Sequence, residues 1–419
     1  MPRVPSKTRK KIEWLLRRAE GGLLSPEILE GEGLHLDWPD AMRRLADAEA
    51  DVAALGAMAR FEQLGRAIES GRAGDRAAYA AEHGVAGTQR FVSSGGARVY
   101  ALSVETFPHH VNNVYVVLEE GSRLMLDCGS GAESSRRDLA LGFAVLGAVF
   151  GEDVRLEALD TCLVSHAHFD HFGGANRLKE QTGARLAVHE LDARVLSCFA
   201  ERIVIASKDV DVFWRRAGVP DDERTCLLEL YASAKSAFRA QEVDVVLRDG
   251  DAVGPGYRVH HVPGHCPGLV CLQVHDVLLT SDHVLARITP HQFPQAITPF
   301  AGLEHYFHSL AKIRCLQGIT LALGGHEEPI RDLYGRIDAI ADFHRERLAH
   351  VAALCASPRT VAQVAYAMFG EQEGYGRILA LDEAGAHVEY LHQLGRLAIA
   401  NLDAVARARD PVIEYVTRA

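Results

Sequence analysis

Four side chains of the kind that bind metal ions fall within six positions of this 419-residue sequence, in the stretch SHAHFDHFGG at 165–174. They are His166, His168, Asp170 and His171. Neutral imidazole and carboxylate are groups that Zn²⁺ and similar cations accept. An apolar strand is predicted over 159–164, so the ligands begin where that strand ends, which is where layered α/β folds collect their sites. Any one of these histidines could be an ordinary polar loop residue, but the four together predict a metal centre.

Three further predicted strands also end close to a residue of this kind. The strands cover residues 257–262, 277–280 and 320–323, and the residues that follow them are His265, Asp282 and His326. Short runs rich in β-branched residues between glycines favour strands at these positions. The sequence therefore supplies seven candidate ligands from four strand ends.

The pattern of secondary structure divides the chain into three parts. Residues 1–88 are rich in Ala, Leu, Glu and Arg, which predicts a helical N-terminal extension. Strand and helix signals alternate over 89–331, which predicts a layered α/β catalytic domain. A helical insertion at about 190–240 interrupts that pattern, and residues 332–419 are predicted to form a helical C-terminal domain.

Composition excludes some classes of protein. The net charge of −11 disfavours a nucleic-acid-wrapping protein, since neutralising phosphates requires a basic surface. Apolar stretches such as 143–150 are far shorter than the roughly 20 residues that cross a bilayer, so we expect no membrane span. Eight cysteines are scattered without a Cys-Xaa-Xaa-Cys pair, and no signal-peptide pattern opens the chain, which predicts a cytoplasmic protein with reduced thiols.

Over roughly residues 90–330 the sequence resembles the metallo-β-lactamase superfamily, of which the His-Xaa-His-Xaa-Asp-His motif is a specific mark. The resemblance implies an α/β (α+β) fold, a four-layer αββα sandwich with two metal ions in a groove at one edge of the sheets. Within the superfamily the chain looks like the glyoxalase-II, thioesterase and lactonase branch. The C-terminal region at 332–419 resembles the small helical, winged-helix-like tail found in some hydrolases of this fold.

The resemblance also implies a role for each candidate ligand. His166, His168 and His265 would hold the first metal, Asp170, His171 and His326 the second, and Asp282 would bridge both. Zinc is favoured, although iron and manganese accept the same ligands. Two such cations lower the pKa of a bridging water to about 7 and so generate hydroxide for hydrolysis.

Two aspartates are the predicted catalytic residues. Asp170 would orient the nucleophile and move its proton. Asp127 follows the predicted strand 123–126 and matches the family's aspartate that hydrogen-bonds a metal-bound imidazole from outside the metal site. Asn113 and Tyr115 match the Asn-Xaa-Tyr that usually enters the neighbouring strand.

The sequence departs from the usual family pattern at two places. Ser281 precedes Asp282 where many members have glycine, and Glu327 and Glu328 follow His326, also in place of glycine. The two glutamates would place acidic charge near the groove. Because the bridging residue is not a cysteine, the antibiotic-hydrolysing β-lactamases with a cysteine ligand are disfavoured. Cys266 adjoins a candidate ligand, and a bystander thiol is favoured over a role in metal binding.

The insertion and the C-terminal region are less informative. Residues 213–220 look like a stretch found where helices cover the groove and shape an acyl pocket, although simple packing of these aromatics is favoured for most of them. Arg215 and Arg216 could meet an anionic substrate arm, but a solvated face is the commoner role. No β-wing is expected after Leu397, because 398–406 has a helical pattern. Because the C-terminal region has no strongly basic run, we favour intramolecular or dimer packing over nucleic-acid binding for it.

The leading hypothesis is a dinuclear-metal hydrolase that cleaves a small-molecule acyl bond, first a thioester, then a lactone or other ester. The alternatives are an endoribonuclease of the same fold and an iron-dependent oxidoreductase. A scaffold without catalysis is disfavoured because all seven ligand positions are filled. We expect a small-molecule acyl substrate and no membrane, nucleic acid is disfavoured, and the helical N-terminal extension is a candidate surface for a homodimer.

Overall fold

The computed structural model describes residues 88–107, 110–148, 150–235 and 238–418. The N-terminal extension predicted for residues 1–88 lies outside the described residues except for Thr88. No helix in the described part of the chain is long and apolar enough to span a membrane.

Fourteen strands in the described ranges form two larger sheets and one small one. The first sheet contains, in spatial order, β1 Gln89–Val92, β2 Arg98–Phe107, β3 His110–Glu119, β4 Ser122–Leu126, β5 Thr161–Val164, β6 Arg185–His189 and β7 Val245–Leu247. The second contains β12 Leu321–Gly324, β11 Val277–Ser281, β10 Val270–Val274, β9 Tyr257–His261 and β8 Ala252–Val253. The third pairs β13 Leu397–Ile399 with β14 Tyr415–Thr417. Strands β4 to β7 run parallel, as do β11 and β12, and the other pairs are antiparallel.

The helices fall in the connections and at the C-terminal end. In chain order they are α1 Glu133–Ala148, α2 Phe169–Phe172, α3 Ala175–Gln181, α4 Glu190–Ser197, α5 Phe199–Arg216, α6 Asp221–Lys235, α7 Leu303–Arg314, α8 Leu333–Leu354, α9 Val361–Phe369, α10 Gly374–Gln393 and α11 Leu402–Arg407. A 3₁₀ turn covers Leu156–Ala158.

Alternation of side chains along β2 shows how the layers are built. Tyr100 and Leu102 face a cluster that includes residues of α1 and α3, whereas Val99 and Ala101 face a second cluster shared by the two large sheets. Successive side chains of a strand point to opposite faces, so a strand that is apolar at every position is covered on both. On its other face the second sheet packs against α7 and α8. The predicted four-layer αββα sandwich is confirmed.

The helical insertion and the C-terminal helices share one hydrophobic cluster. Trp214 of α5 is fully buried there, together with Leu227 of α6 and apolar residues of α8, α9 and α10. Arg215 and Arg216 lie on the half-exposed face of α5 and pair with Asp211 and Asp410. The aromatic stretch thus packs against the C-terminal helices, and both arginines have acidic partners within the chain.

One expectation for the C-terminal region is wrong. Residues 397–399 form a strand and pair antiparallel with β14, whereas the alanine-rich pattern of 398–406 had predicted a continuous helix and no wing. Only Leu402–Arg407 is helical in that stretch. The partner strand lies 16 or more residues further along the chain, and a local pattern carries no information about such a pairing.

Candidate metal centre

The seven candidate ligands all lie at strand ends along one edge of the two large sheets. His166, His168, Asp170 and His171 follow β5, whereas His265, Asp282 and His326 follow β9, β11 and β12. The first four come from the first sheet and the last three from the second sheet. Asp170 and His171 sit in the single helical turn α2.

Three histidines form one cluster. Nδ1 of His168 lies 2.9 Å from Nε2 of His166 and 3.0 Å from Nε2 of His265. The three ligand atoms that these residues offer lie within 4.8 Å of one another. We call this group the first cluster. It brings together the three residues that the resemblance assigns to one metal.

The second cluster consists of Asp170, His171 and His326. Nε2 of His171 lies 3.4 Å from Oδ2 of Asp170, and Nε2 of His326 lies 3.7 Å from the same oxygen. Asp282 stands between the clusters, since its Oδ2 lies 3.4 Å from His171, 3.3 Å from His326 and 3.7 Å from Nε2 of His265. All seven predicted ligands therefore converge.

The spacing and the unsatisfied atoms fit bound cations. Ligand nitrogens about 2.0 to 2.1 Å from a tetrahedral zinc ion are about 3.4 Å apart, close to the separations found in both clusters. Oδ1 of Asp282 is buried and has no hydrogen-bond partner among the described residues. A buried carboxylate oxygen without a partner is costly, and a cation would satisfy it.

In four of the histidines, the ring nitrogen that does not face the clusters contacts another group of the protein. The contacts are His166 Nδ1 to Ser165 Oγ at 3.0 Å, His171 Nδ1 to Asp127 Oδ2 at 2.8 Å, His265 Nδ1 to the His291 carbonyl at 2.6 Å and His326 Nδ1 to the Val111 carbonyl at 2.8 Å. Such partners fix the ring orientation and tautomer of metal-binding histidines. In each of the four, Nε2 is the nitrogen left to face the cluster.

Asp127 lies beneath the clusters, at the end of β4. Its Oδ1 accepts the backbone N–H of Ser165 at 2.7 Å, and its Oδ2 accepts the Ser165 hydroxyl at 2.9 Å. Asp127 has a φ of 65°, a left-handed conformation that aspartate tolerates better than most residues. The backbone is bent at this point and presents the carboxylate to both Ser165 and His171.

Burial and charge set the protonation states in the two clusters. Desolvation, together with the neighbouring imidazoles, holds the pKa values of His166 and His168 well below their usual range, so both rings are neutral. Burial opposes ionisation of Asp170 and Asp282, but the nearby imidazoles outweigh it and hold their pKa values well below the usual range. Burial likewise opposes the charge on His326, and the Asp282 and Asp170 carboxylates raise its pKa to about 9. Neutral imidazoles and ionised carboxylates are the forms that bind metals, and the proton on His326 is one that a cation would displace.

Two residues beside the second cluster were missed from the sequence. His110 places Nε2 at 3.1 Å from Oδ2 of Asp170, and its ring lies 4.8 Å from that of His326. The amide of Asn112 donates to the same Asp170 oxygen at 3.0 Å. Both residues stand on β3, shortly before Asn113 of the Asn-Xaa-Tyr match, and this proximity was the available signal.

Other residues singled out from the sequence lie around the ligands. Asn113 donates to the carbonyls of Gly324 and Glu327, and the Tyr115 hydroxyl donates to that of Gly324, so both hold the turn that carries His326. The carboxylate of Glu327 accepts the backbone N–H of Arg287 at 2.8 Å.

The acidic charge near His326 is partly balanced, and the thiol beside His265 contacts an aspartate outside the two clusters. Arg287 pairs with both Glu327 and Glu328. Sγ of Cys266 is buried 3.4 Å from Asp192 Oδ2, and desolvation raises the pKa of the thiol well above its usual value. A thiol held protonated in this way is a poor metal ligand.

Comparison with known proteins shows where this fold occurs. The chain is 26% identical to a metallo-beta-lactamase family protein from Thermus thermophilus, with a TM-score of 0.60 over 76% of this chain and 98% of that one. It is also 26% identical to a beta-lactamase domain protein from Burkholderia ambifaria, with a TM-score of 0.61 over 78% of this chain and 94% of that one.

Two curated relatives match over a shorter stretch. An uncharacterised protein from Aquifex aeolicus (strain VF5) is 27% identical over 38% of this chain, and the Anti-Pycsar protein Apyc1 from Bacillus phage 010DV004 is 23% identical over 41%. The chain spans 58% and 62% of the length of these two relatives. The sequence profile described as the metallo-beta-lactamase superfamily matches residues 108–354, well over half of the chain. With that match and the αββα sandwich, the chain belongs to the metallo-β-lactamase superfamily.

Proposed function

We propose that this protein is a dinuclear-metal hydrolase that cleaves an acyl bond of a small molecule, with a thioester as the leading substrate class and a lactone or other ester next. The observation that carries the proposal is the convergence of seven histidine and aspartate side chains, in which Oδ2 of Asp282 lies within 3.7 Å of three of the histidines while its buried Oδ1 has no partner among the described residues. In this proposal residues 89–331 form the catalytic domain and residues 332–419 a C-terminal domain.

The proposed metal ligands follow the two clusters. The first cluster, His166, His168 and His265, would hold one divalent cation, and the second, Asp170, His171 and His326, the other, with Asp282 shared. Zinc suits these ligands, and iron or manganese are the alternatives. Bound there, the two cations supply a hydroxide nucleophile at neutral pH and polarise the acyl carbonyl.

The chain's own residues orient the reacting groups. Asn112 donates to Oδ2 of Asp170 and His110 lies within hydrogen-bond distance of it, so this carboxylate has a fixed direction from which to orient a nucleophile and accept its proton. Asp127 holds His171 through Nδ1 and keeps Nε2 toward the second cluster. These contacts fix the proton acceptor before the substrate arrives, and holding a reacting group in place in this way lowers the activation barrier.

Aromatic rings beside the clusters support an acyl substrate. Phe293 lies with its ring centroid 5.8 Å from that of His168 and 6.3 Å from that of His265. Phe169, next to Asp170, stacks on Phe238 at 4.3 Å. Phe169 and Phe238 also pack against the core of the first sheet, so Phe293 is the ring that supports an apolar side to the site, as small-molecule sites typically have. The net charge of −11 and the glutamates at 327 and 328 disfavour a polyanionic substrate such as RNA.

The proposal is tested by metal analysis and a substrate screen. We expect about two divalent cations per chain and hydrolysis of acyl thioesters, with lactones, simple esters and single-stranded RNA screened in parallel under each metal. His168→Ala and Asp282→Ala should each lower turnover by about a thousandfold, because losing several kcal/mol of transition-state stabilisation has that effect. His350→Ala, an exposed histidine of α8, is the matched control and should retain activity.

Each other outcome has a clear meaning. A folded protein that binds no divalent cation, or full activity in Asp282→Ala, would refute the proposed function. Cleavage of RNA alone would establish the endoribonuclease alternative. Turnover that requires iron and consumes an oxidant would establish the oxidoreductase alternative.

A further inference from the structure

The loop between β11 and α7 supports the first cluster. The carbonyl of His291 lies 2.6 Å from Nδ1 of His265, and Phe293 packs near the rings of His168 and His265. We call residues 290–296 the support loop. Because the His291 carbonyl accepts a hydrogen bond from Nδ1–H of His265, the unprotonated Nε2 of this ring faces His168 at 3.0 Å. The position of this loop therefore determines the orientation and tautomer of a proposed metal ligand.

Helix α10, far along the chain, holds the backbone of the support loop. Oε2 of Glu383 accepts the N–H of Gln292 at 2.7 Å and lies 3.3 Å from Nδ1 of His291. Glu389 accepts the N–H groups of Gln295 at 2.6 Å and of Ala296 at 2.9 Å. Hydrogen bonds to an ionised acceptor are roughly twice as strong as neutral ones. Two carboxylates of one helix thus fix both ends of the support loop.

Glu383 is buried, with 5% of its surface exposed, and both of its oxygens are engaged. Its Oε1 binds Arg347 of α8 at 2.5 Å, and its Oε2 faces the support loop. Burying a carboxylate costs several kcal/mol unless charged and hydrogen-bonding partners surround it. Here the partners come from the C-terminal helices on one side and from the support loop on the other, so the ion pair connects the two regions.

Close packing at Gly385 brings a third element to the same place. A Cβ on Gly385 would overlap the ring of Phe213 from α5 and would lie 2.9 Å from Cγ of Pro294 in the support loop. The insertion helix, the support loop and α10 therefore meet within one turn of Glu383. This packing leaves the support loop little room to shift while Glu383 is in place.

We propose that Glu383 is a positioning residue for His265, acting through Gln292 and the His291 carbonyl, and that the C-terminal helices thereby set the metal affinity of the first cluster. The inference rests on the proposed function, since it assigns His265 to a metal. Without Glu383 the support loop loses its anchor at Gln292, and the His291 carbonyl no longer fixes the His265 ring. In the second cluster the two histidines are held instead by Asp127 and by the Val111 carbonyl, which lie outside the support loop.

The test separates the two clusters by removing one ligand at a time. His326→Ala leaves the first cluster intact, and His168→Ala leaves the second intact. Glu383→Ala is added to each background, and the affinity for the remaining Zn²⁺ ion is measured by competition with a chelator. We expect about a tenfold loss of affinity in the His326→Ala background and no change in the His168→Ala background, since loss of a ligand's outer partner typically costs about 10- to 100-fold.

Two further variants and one further measurement complete the design. Glu383→Gln keeps the volume and one acceptor for the Gln292 N–H, so it should recover most of the affinity, and a loss as large as that of Glu383→Ala would contradict the proposed contact with Gln292. Asp342→Asn removes an exposed carboxylate of α8 that pairs with Arg345, and it should have no effect. Hydrogen exchange of the metal-free protein should show faster deuterium uptake at residues 290–296 in Glu383→Ala than in wild type.

The outcomes distinguish this inference from the proposed function. If wild type binds no metal, the proposed function is refuted and the inference falls with it. If wild type binds two cations and hydrolyses its substrate, but Glu383→Ala leaves the first cluster's affinity unchanged, only the inference is overturned. Equal weakening of both clusters, or unchanged exchange at 290–296, would also overturn it, because a merely structural role would not act on one cluster alone.

Discussion

The carboxylate of Asp127 lies 2.8 Å from Nδ1 of His171 and also accepts two hydrogen bonds from Ser165. Both of its oxygens act as acceptors, and an amide cannot replace them both. Asp127→Asn should therefore weaken the binding of one Zn²⁺ ion by about 10- to 100-fold, measured by chelator competition. Asparagine tolerates the φ of 65° at this position, so the change acts on the side chain rather than on the backbone.

The matched control for Asp127→Asn is Asp160→Asn. Asp160 also adjoins a strand of the first sheet, but it is exposed and pairs with Arg123. An exposed pair contributes little, so Asp160→Asn should retain both metals. Equal metal affinity in Asp127→Asn and wild type would show that His171 does not depend on this carboxylate.

His110 should contribute to turnover although it is not one of the seven candidate ligands. Its ring contacts Asp170 and His326 while its side chain is 48% exposed, so it is accessible and close to two of the proposed metal ligands. We expect His110→Ala to lower kcat about tenfold, the loss that corresponds to roughly 1.4 kcal/mol, with the melting temperature nearly unchanged. Steady-state kinetics beside His350→Ala would check this, and an unchanged kcat would remove His110 from the site.

Two glycines of α10 should respond in opposite ways to alanine. Gly385→Ala forces a Cβ against Phe213 and Pro294, and overpacking of this kind typically costs about 1 to 3 kcal/mol. Gly376→Ala meets only the side chain of Gln372, at 3.2 Å, and should stabilise the helix by about 0.5 to 1 kcal/mol. Urea unfolding of both variants tests the contrast, and an equal response would show that the packing at Gly385 is loose.

Asp138 should make stability depend on pH. Burial raises its pKa to about 6, against the partial compensation by Arg137 and the Glu105 N–H, whereas the unfolded chain has the ordinary value of 3.8. Between these values the unfolded state has released the proton and the folded state still holds it. The unfolded state therefore binds fewer protons, and stability falls as pH rises from about 4 to about 6.

Asp138→Asn isolates this contribution. Relative to Asp138→Asn, wild type should lose at most about 3 kcal/mol of unfolding free energy between about pH 4 and pH 7. This limit follows from a shift of roughly two pKa units at about 1.36 kcal/mol each. Urea unfolding of chelator-treated protein at both pH values measures it. A difference that does not change with pH would contradict the raised pKa.

The layered α/β domain and the candidate ligands were predictable because their signals are local, whereas the four-layer sandwich was implied by the family resemblance. The candidate ligands follow shortly after four predicted strands, so the seven residues could be named from the sequence. The resemblance then placed them around one groove. Their assignment as metal ligands, the domain boundaries and the substrate stay predictions.

What the sequence did not reveal depends on contacts between distant segments. Helix α1 contains Gly142, and a glycine inside a helix weakens the local helical signal. The reason for this glycine is a distant contact, since a Cβ there would press on Leu102 of β2. The pairing of β13 with β14 joins residues far apart in sequence, and so does the hydrogen bond from the Gln292 N–H to Glu383. A single sequence has no periodicity that marks such contacts.

The two sheets each contribute only part of the group of converging side chains, and this has a consequence for biosynthesis. A nascent chain that has emerged only through β7 carries His166, His168, Asp170 and His171 but lacks His265, Asp282 and His326. Domains are made from the N-terminus at about 5 to 20 residues per second, so the second half of the site arrives seconds after the first. Tight metal binding would then occur only after the second sheet has packed onto the first.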